Sequence, residues 1–136
     1  MHDLPLSQED RSTLLRVIRT QPPRDRLLAE LVFGHGLGLA DALTVKAEEI
    51  AWGEDRVKLC AHTGRSTRRT VTVERDVVDG VLGERRHGPV FATHSGVPIR
   101  PDYAARLIAR VAEAAGVPSG LQVKRVRGAK RAVVSR

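Results

Sequence analysis

The sequence has few of the residues that hold a small protein together covalently or through aromatic packing. It contains a single cysteine, Cys60, which excludes an internal disulfide and leaves no pair of thiols for a metal site. Aromatic residues make up only 3% of the chain. The core must therefore be built from leucine, valine, isoleucine and alanine, and we expect Cys60 to be one of its small buried side chains.

Long hydrophobic segments are also missing. No run approaches the roughly 20 apolar residues that a membrane helix needs, and the N-terminus carries Asp3, Glu9 and Asp10, unlike the basic start of a signal peptide. We therefore expect a soluble, cytoplasmic protein without a membrane partner. With 136 residues and no internal repeat, the sequence predicts one domain spanning 1–136.

Positive charge is concentrated in the second part of the chain. Residues 1–55 contain six basic and ten acidic side chains, a net charge of −4, whereas residues 56–136 contain seventeen basic and six acidic side chains, a net charge of +11. A concentrated positive field attracts polyanions, because lysine and arginine displace counterions from phosphates. This asymmetry indicates a nucleic acid as partner; the alternative is a basic surface that only keeps the protein in solution.

Apolar residues recur at helical spacing along most of the chain. Leu14, Leu15 and Ile18 give the first predicted helix its apolar side, and Leu107 and Ile108 belong to the apolar side of a later one. The predicted helices span 7–20, a segment from Pro23 to the glycines at 34, 36 and 38, then 39–44, 75–86, 101–115 and a basic C-terminal segment at about 122–136.

One β-hairpin is predicted among these helices. Apolar and polar residues alternate in Arg56–Ala61 and again in Thr70–Val73. The polar segment 62–67, which contains Gly64, separates the two and is typical of a turn. The sequence therefore predicts a mainly α (α+β) fold.

The order of these elements, together with several short motifs, resembles the catalytic domain of the tyrosine recombinases, the phage integrase family. Gly36–Leu43 is similar to the family's T-G-L-R-x-S/A-E-L segment, and Thr63–Val73 is similar to its hairpin K-T-x-x-S-x-R-x-V-P-L. Further similar motifs follow in the family's order: Arg24–Leu28, Pro89–Phe91, Gly96–Ile99 and Ala114–Val117. The resemblance spans about residues 6–131 and implies helices packed around a small antiparallel sheet, with double-stranded DNA as partner.

In this family a tyrosine attacks a DNA phosphodiester, while arginines, a lysine and histidines stabilise the developing charge and transfer protons. The resemblance places Gly38 where the first arginine belongs and His62 where the hairpin lysine belongs. The family's H-x-L-R-H reads here as Lys124 to Gly128 and keeps Arg127 as the second arginine. Arg127, Lys124 and His62 are therefore the candidates for retained catalytic positions.

The attacking tyrosine has no counterpart at the expected place. In the family it follows the second arginine by several helical turns, whereas the single tyrosine here, Tyr103, precedes Arg127. We expect Tyr103 to pack the start of a helix, and we predict no covalent intermediate. His35, His87 and His94 match no metal-ligand spacing, so we expect no metal and no cofactor.

Three functions remain open. The favoured one is a noncatalytic DNA-binding protein, a pseudoenzyme whose basic side chains contact duplex phosphates, since no aromatic residues interleave with them to stack single-stranded bases. The second is a subunit or fragment acting in DNA recombination or integration, with the tyrosine supplied elsewhere. The third is a remnant that docks a partner recombinase or another copy of itself. Arg69 could instead have a structural role. The candidates for DNA contacts are Arg65, Arg68, Arg69, Lys124, Arg125, Arg127, Lys130 and Arg131.

Overall fold

Five α-helices surround a three-stranded antiparallel sheet in the computed structural model, which describes residues 8–64 and 66–116. The helices are α1 (Gln8–Arg19), α2 (Pro23–Ala29), α3 (Leu39–Ala42), α4 (Arg75–Leu82) and α5 (Pro101–Ala114). A π-helical turn at Glu30–Gly34 continues α2, and a 3-10 turn covers Ala47–Glu49. The strands are β1 (Ala51–Trp52), β2 (Arg56–His62) and β3 (Arg68–Glu74), in the order β1-β2-β3. No helix in the two described ranges is long and apolar enough to cross a membrane.

The helices lie where the hydrophobic spacing predicts them, with corrections at their ends. α2 begins at Pro23, because proline lacks the N–H that a first helical residue does not need. α4 ends at Leu82, four residues earlier than predicted, because Gly83 adopts a positive φ of 60°. α3 ends at Ala42 rather than at residue 44. The C-terminal helix predicted at about 122–136 lies outside the described residues.

The core is aliphatic, as the composition requires. Phe91 is its largest fully buried side chain, and leucines of α2 and its π-helical continuation, such as Leu28 and Leu31, lie around it at zero exposure in the same core. Leu15 was predicted to lie on the apolar side of the first helix, but it is 39% exposed. α1 packs on α5 and α2 through Leu14 and Ile18 instead.

The β2–β3 hairpin is confirmed, and its register decides which side chains face the core. Val57, Leu59 and Ala61 are buried, and the alternate residues of β2 lie on the outer face. Cys60 lies opposite Thr70 on that outer face and is only half-buried. The prediction of Cys60 as a buried core residue is therefore wrong, since strand alternation turns it away from the core.

The short strand β1 was not predicted and is joined to α4 through its tryptophan. The Trp52 ring is contacted by two guanidinium groups, with its centroid 5.2 Å from Cζ of Arg75 and 4.3 Å from Cζ of Arg86. Arg75 also donates a hydrogen bond to the carbonyl of Gly53, over 2.9 Å. These contacts fasten the edge strand to the helix that follows the hairpin.

A hydrogen bond joins the hairpin to the glycine-rich bend after the π-helical turn. The guanidinium of Arg69 on β3 donates to the backbone carbonyl of His35. Burial lowers the pKa of the His35 imidazole, the nearby positive charge of Arg69 lowers it further, and Glu30 opposes part of this shift. These surroundings therefore favour the neutral form of the His35 imidazole over the charged form.

We expect Phe91→Ala to lower the free energy of unfolding by about 3–5 kcal/mol, because it removes the largest fully buried side chain and leaves a cavity. Urea denaturation of the purified chain measures this change. Val97→Ala is the control: Val97 is 57% exposed, and its truncation should change the free energy of unfolding by no more than about 0.5 kcal/mol. Equal effects of the two changes would contradict the described core.

We expect His35 to make the protein less stable in acid. The unfolded chain protonates His35 at a higher pH than the folded chain, so this contribution to stability is fully present above about pH 6.5 and is lost as the pH falls from there towards the lowered pKa. Urea denaturation at a series of pH values should show that the free energy of unfolding falls less with decreasing pH in His35→Gln than in the wild type. His94→Gln, at an exposed loop position, should keep the wild-type profile, and parallel profiles for all three proteins would argue against this role of His35.

Candidate nucleic-acid interface

Three of the residues predicted to form the site lie in the described part of the chain, and all three are at one end of the hairpin. His62 is the last residue of β2, and Arg68 and Arg69 are the first two residues of β3. His62 lies directly opposite Arg68 in the strand register. The other predicted residues lie outside the described ranges: Arg65, Lys124, Arg125, Arg127, Lys130 and Arg131.

The hairpin end presents positive charge on a polar turn. The N–H of Thr63 donates to the carbonyl of Thr67 over 2.9 Å, which closes the turn. Arg68 and Arg69 follow it and both are exposed. Arg69 also makes the contact with the carbonyl of His35 described above, so it has the structural role that the sequence left open. No side-chain hydrogen bond of Arg68 is seen among the described residues, whereas Arg69 has this one contact.

His62 is paired with a carboxylate that the sequence analysis did not identify. Its Nε2 atom lies 2.9 Å from Oε1 of Glu49, and the two side chains are 28% and 29% exposed. The backbone N–H of His62 donates to the hydroxyl of Thr44 over 2.8 Å, and that hydroxyl donates to the carbonyl of Asp41. The position of the imidazole is therefore fixed both by its backbone and by its ring. Glu49 lies just before β1, and the pairing of β1 with β2 brings it close to His62. The sequence could have indicated this proximity only if β1 had been predicted.

Gly38, which the motif comparison places at the first arginine, immediately precedes α3. Its φ of −64° and ψ of 151° are extended values that any residue adopts, so the backbone does not require glycine here. Residue 38 leads into α3, and α3 packs on β2, the strand that carries His62. The contact between α3 and β2 therefore forms with glycine at residue 38.

A groove of about 540 Å³ opens beside His62 and is mostly apolar, with Lys46 and Glu48 among its polar residues. Glu48 accepts a hydrogen bond from the N–H of Gly88 over 2.8 Å. Backbone N–H groups of Glu48 itself and of Gly88 lower the pKa of this carboxyl. Glu48 therefore stays ionised and anchors the loop at residue 88 to the groove.

Tyr103 lies on α5 and packs against the core, as the sequence analysis expected. Its hydroxyl accepts a hydrogen bond from Nη2 of Arg24 over 3.2 Å, and the Arg24 guanidinium lies 5.6 Å from the centre of the ring. Arg24 also donates to the carbonyl of Ala92 over 3.3 Å. These contacts give Tyr103 a role in joining α2, α5 and the loop at residue 92.

Comparison with known proteins rests on structure alone, since no family model and no curated protein sequence matches the chain. The structure is similar to that of the XerH site-specific recombinase bound to its difH substrate in a pre-cleavage complex, with a TM-score of 0.71 and 19% sequence identity. That alignment covers 91% of this chain and 41% of the XerH chain. XerH bound to a palindromic difH substrate in a post-cleavage complex matches with a TM-score of 0.66 and 16% identity, over 89% of this chain and 40% of the other.

This chain therefore spans about two-fifths of the length of the XerH chains that it matches. The likeness extends over the helices and the sheet together, and it agrees with the order of motifs found in the sequence. The chain has an α+β fold similar to that of the matched region of XerH, with helices packed against a small antiparallel sheet, as the resemblance found in the sequence predicted.

Proposed function

We propose that this protein binds double-stranded DNA through the basic end of its hairpin and does not cleave it. The observation that carries the proposal is the match of 91% of the chain to a site-specific recombinase that holds its substrate. The matched XerH structure holds its difH substrate, and we infer that a chain with a similar fold binds duplex DNA as well. Sequence-independent affinity for DNA requires in addition a concentration of positive charge.

The distribution of charge supports this proposal. The net charge of +11 belongs to residues 56–136, and the hairpin begins at residue 56. Arg68 and Arg69 are exposed where β3 begins, and guanidinium groups are well suited to phosphate oxygens because they present several N–H donors in one plane. Five further cations follow within a short stretch of the sequence and add to its positive charge: Lys124, Arg125, Arg127, Lys130 and Arg131.

The proposed lack of cleavage rests on Gly38. A preorganised charged donor at the reacting phosphate is worth roughly 10²–10³ in rate, and glycine has no side chain to supply one. Since the backbone at residue 38 tolerates any residue, the glycine is not explained by a need for an unusual conformation. A scaffold that keeps the DNA-binding surface but omits this arginine would hold DNA without reacting with it.

A second candidate function is that of a subunit in a DNA recombination assembly. It is favoured by the similarity to XerH, a site-specific recombinase bound to its difH substrate in a pre-cleavage complex. In such an assembly a tyrosine from another polypeptide would attack the DNA. His62, held against Glu49 at 2.9 Å, would be the described residue able to transfer a proton there.

We expect the full chain to bind a fluorescein-labelled DNA duplex in a fluorescence anisotropy titration, with an affinity that falls steeply with salt. A protein that contacts about six phosphates loses roughly 10³-fold in affinity between about 50 and 200 mM salt. Arg68→Ala should weaken binding and reduce the slope of log K against log salt by about one. Arg16→Ala is the matched control, because Arg16 is exposed on α1, whose first turn carries Glu9 and Asp10.

Binding that is negligible at low salt would refute the proposal. Equal effects of Arg68→Ala and Arg16→Ala on the affinity for DNA would show that the hairpin end is not the DNA-binding surface. Thermal denaturation of both variants checks that neither change acts by unfolding the chain, which is not expected for two exposed positions.

We expect no covalent protein–DNA adduct when the full chain is incubated with a nicked suicide duplex and resolved on a denaturing gel, because Gly38 supplies no side chain where the resemblance places the first arginine. Tyr103→Phe serves as the control, since Tyr103 is engaged by Arg24. An adduct formed by the wild-type chain would overturn the proposed lack of cleavage, and its loss in Tyr103→Phe would identify the nucleophile.

A further inference from the structure

Three donor atoms of different chemistry meet on the outer face of the sheet. A carboxylate oxygen of Glu49, the thiol sulfur of Cys60 and an imidazole nitrogen of His62 all lie within 4.8 Å of one another. All three residues are half-buried, which leaves them reachable from solvent. We refer to Glu49, Cys60 and His62 as the triad.

The backbone explains why these side chains converge. Cys60 and His62 are two residues apart on β2 and therefore point to the same face, opposite to buried Leu59 and Ala61. In the β1–β2 register Ala51 lies opposite Lys58. Glu49 is the last residue of the 3-10 turn Ala47–Glu49 and comes two residues before Ala51, so the pairing of β1 with β2 brings this turn beside Cys60 and His62. Two members of the triad thus lie on β2 and the third lies on the turn that leads into β1.

Further hydrogen bonds fix two members of the triad. The backbone N–H of His62 donates to Thr44 Oγ1 over 2.8 Å, and the N–H of Glu49 donates to the carbonyl of Lys46 over 3.1 Å. Donor groups held on rigid elements lose little conformational freedom when they bind a ligand. The backbone positions of His62 and Glu49 are therefore held in place, and their side chains can rotate to close around an ion.

We propose that the triad binds a divalent transition-metal ion of the zinc class. Thiolate sulfur and imidazole nitrogen favour borderline and soft ions, whereas Mg²⁺ and Ca²⁺ prefer sites made of oxygen alone. A thiolate and a carboxylate balance the double positive charge of the ion, and a neutral imidazole completes three protein donors. The fourth tetrahedral position stays open to water or to an anionic ligand.

The donor atoms, all within 4.8 Å of one another, are close enough for one ion to bind them after the side chains adjust. Zinc binds sulfur at about 2.3 Å and nitrogen or oxygen at about 2.0–2.2 Å, so neighbouring tetrahedral donors lie about 3.3–3.7 Å apart. The contact of 2.9 Å between His62 and Glu49 must lengthen by about half an ångström to reach that spacing. A metal ion would thus replace the hydrogen bond between these two side chains.

The neighbouring strand supplies one group that opposes a cation. Thr70 lies opposite Cys60 and is uncharged, whereas Arg68 lies opposite His62. Arg68 is exposed, so its guanidinium can extend into water, but it still repels a metal ion on the same face. Removing this charge should therefore strengthen metal binding while it weakens DNA binding, which separates the two proposals.

The test is a titration of the reduced, metal-free full chain with Co²⁺, followed by displacement with Zn²⁺. Ligation by Cys60 gives a thiolate-to-cobalt charge-transfer band in the near ultraviolet, with one ion per chain. Cys60→Ser should abolish that band, and Glu49→Gln or His62→Gln should weaken binding by about tenfold or more. Arg68→Ala should tighten it by about two- to fivefold.

A second measurement uses the fact that Cys60 is the only cysteine in the chain. Zn²⁺ should slow the reaction of this thiol with an alkylating reagent in the wild type, and should not do so in His62→Gln. His94→Gln, at an exposed loop position, should bind Co²⁺ like the wild type. Circular dichroism identifies any variant that fails to fold, and the alkylation of the wild type with and without Zn²⁺ needs no variant at all.

The proposal would be overturned by the absence of a thiolate-to-cobalt band, or by an alkylation rate of the wild type that Zn²⁺ does not change. Equal loss of affinity in His94→Gln and His62→Gln would likewise show that surface histidines bind the ion. DNA binding is measured separately, in the presence of a chelator. A failure to bind metal therefore does not affect the proposed DNA-binding function, and a failure to bind DNA does not affect the proposed metal site.

Discussion

The antiparallel register of β2 against β3 determines both the core and the functional surface of this protein. With Val57 opposite Val73 and Leu59 opposite Val71, these side chains are buried beneath the sheet, while Cys60, His62 and Arg68 stand on its outer face. A shift of one residue would exchange the two faces. The buried valines and leucines therefore also hold the polar residues in position, because the apolar burial that fixes the register decides where the histidine, the thiol and the arginine lie.

Much of the fold follows from periodic patterns in the sequence. The apolar spacing of α1, α2 and α5 and the alternation in the hairpin identify these elements, because each must bury one face. The failures occur where three-dimensional packing or local conformation decides. Leu15 matches the helical spacing but lies outside the contact of α1 with α5 and α2, and α4 stops early at the positive φ of Gly83. β1, with two residues, is too short to show any alternation.

The sequence identified only some of the residues of the candidate sites. The arginines of the hairpin and His62 could be identified because they lie within one continuous motif. Glu49 is 13 residues away from His62 in the chain, and only the pairing of β1 with β2 brings the two together. Cys60 was assigned to the core from its residue type, whereas its position in the alternation of β2 places it outside. A ligand set assembled across strands has no fixed sequence spacing, so motif reasoning does not detect it.

The contacts of Trp52 with Arg75 and Arg86 affect whether copies of this protein associate through the edge of the sheet in a concentrated solution. The outer edge of a sheet offers unpaired backbone groups to the strands of other molecules, which is a common route to aggregation. The sheet has two edges, β1 and β3. At the β1 edge the strand has only two residues, and the guanidinium groups of Arg75 and Arg86 lie over its tryptophan ring. A second copy that approached β1 would find little backbone to pair with and like charge to repel it, so pairing of two molecules is disfavoured at this edge.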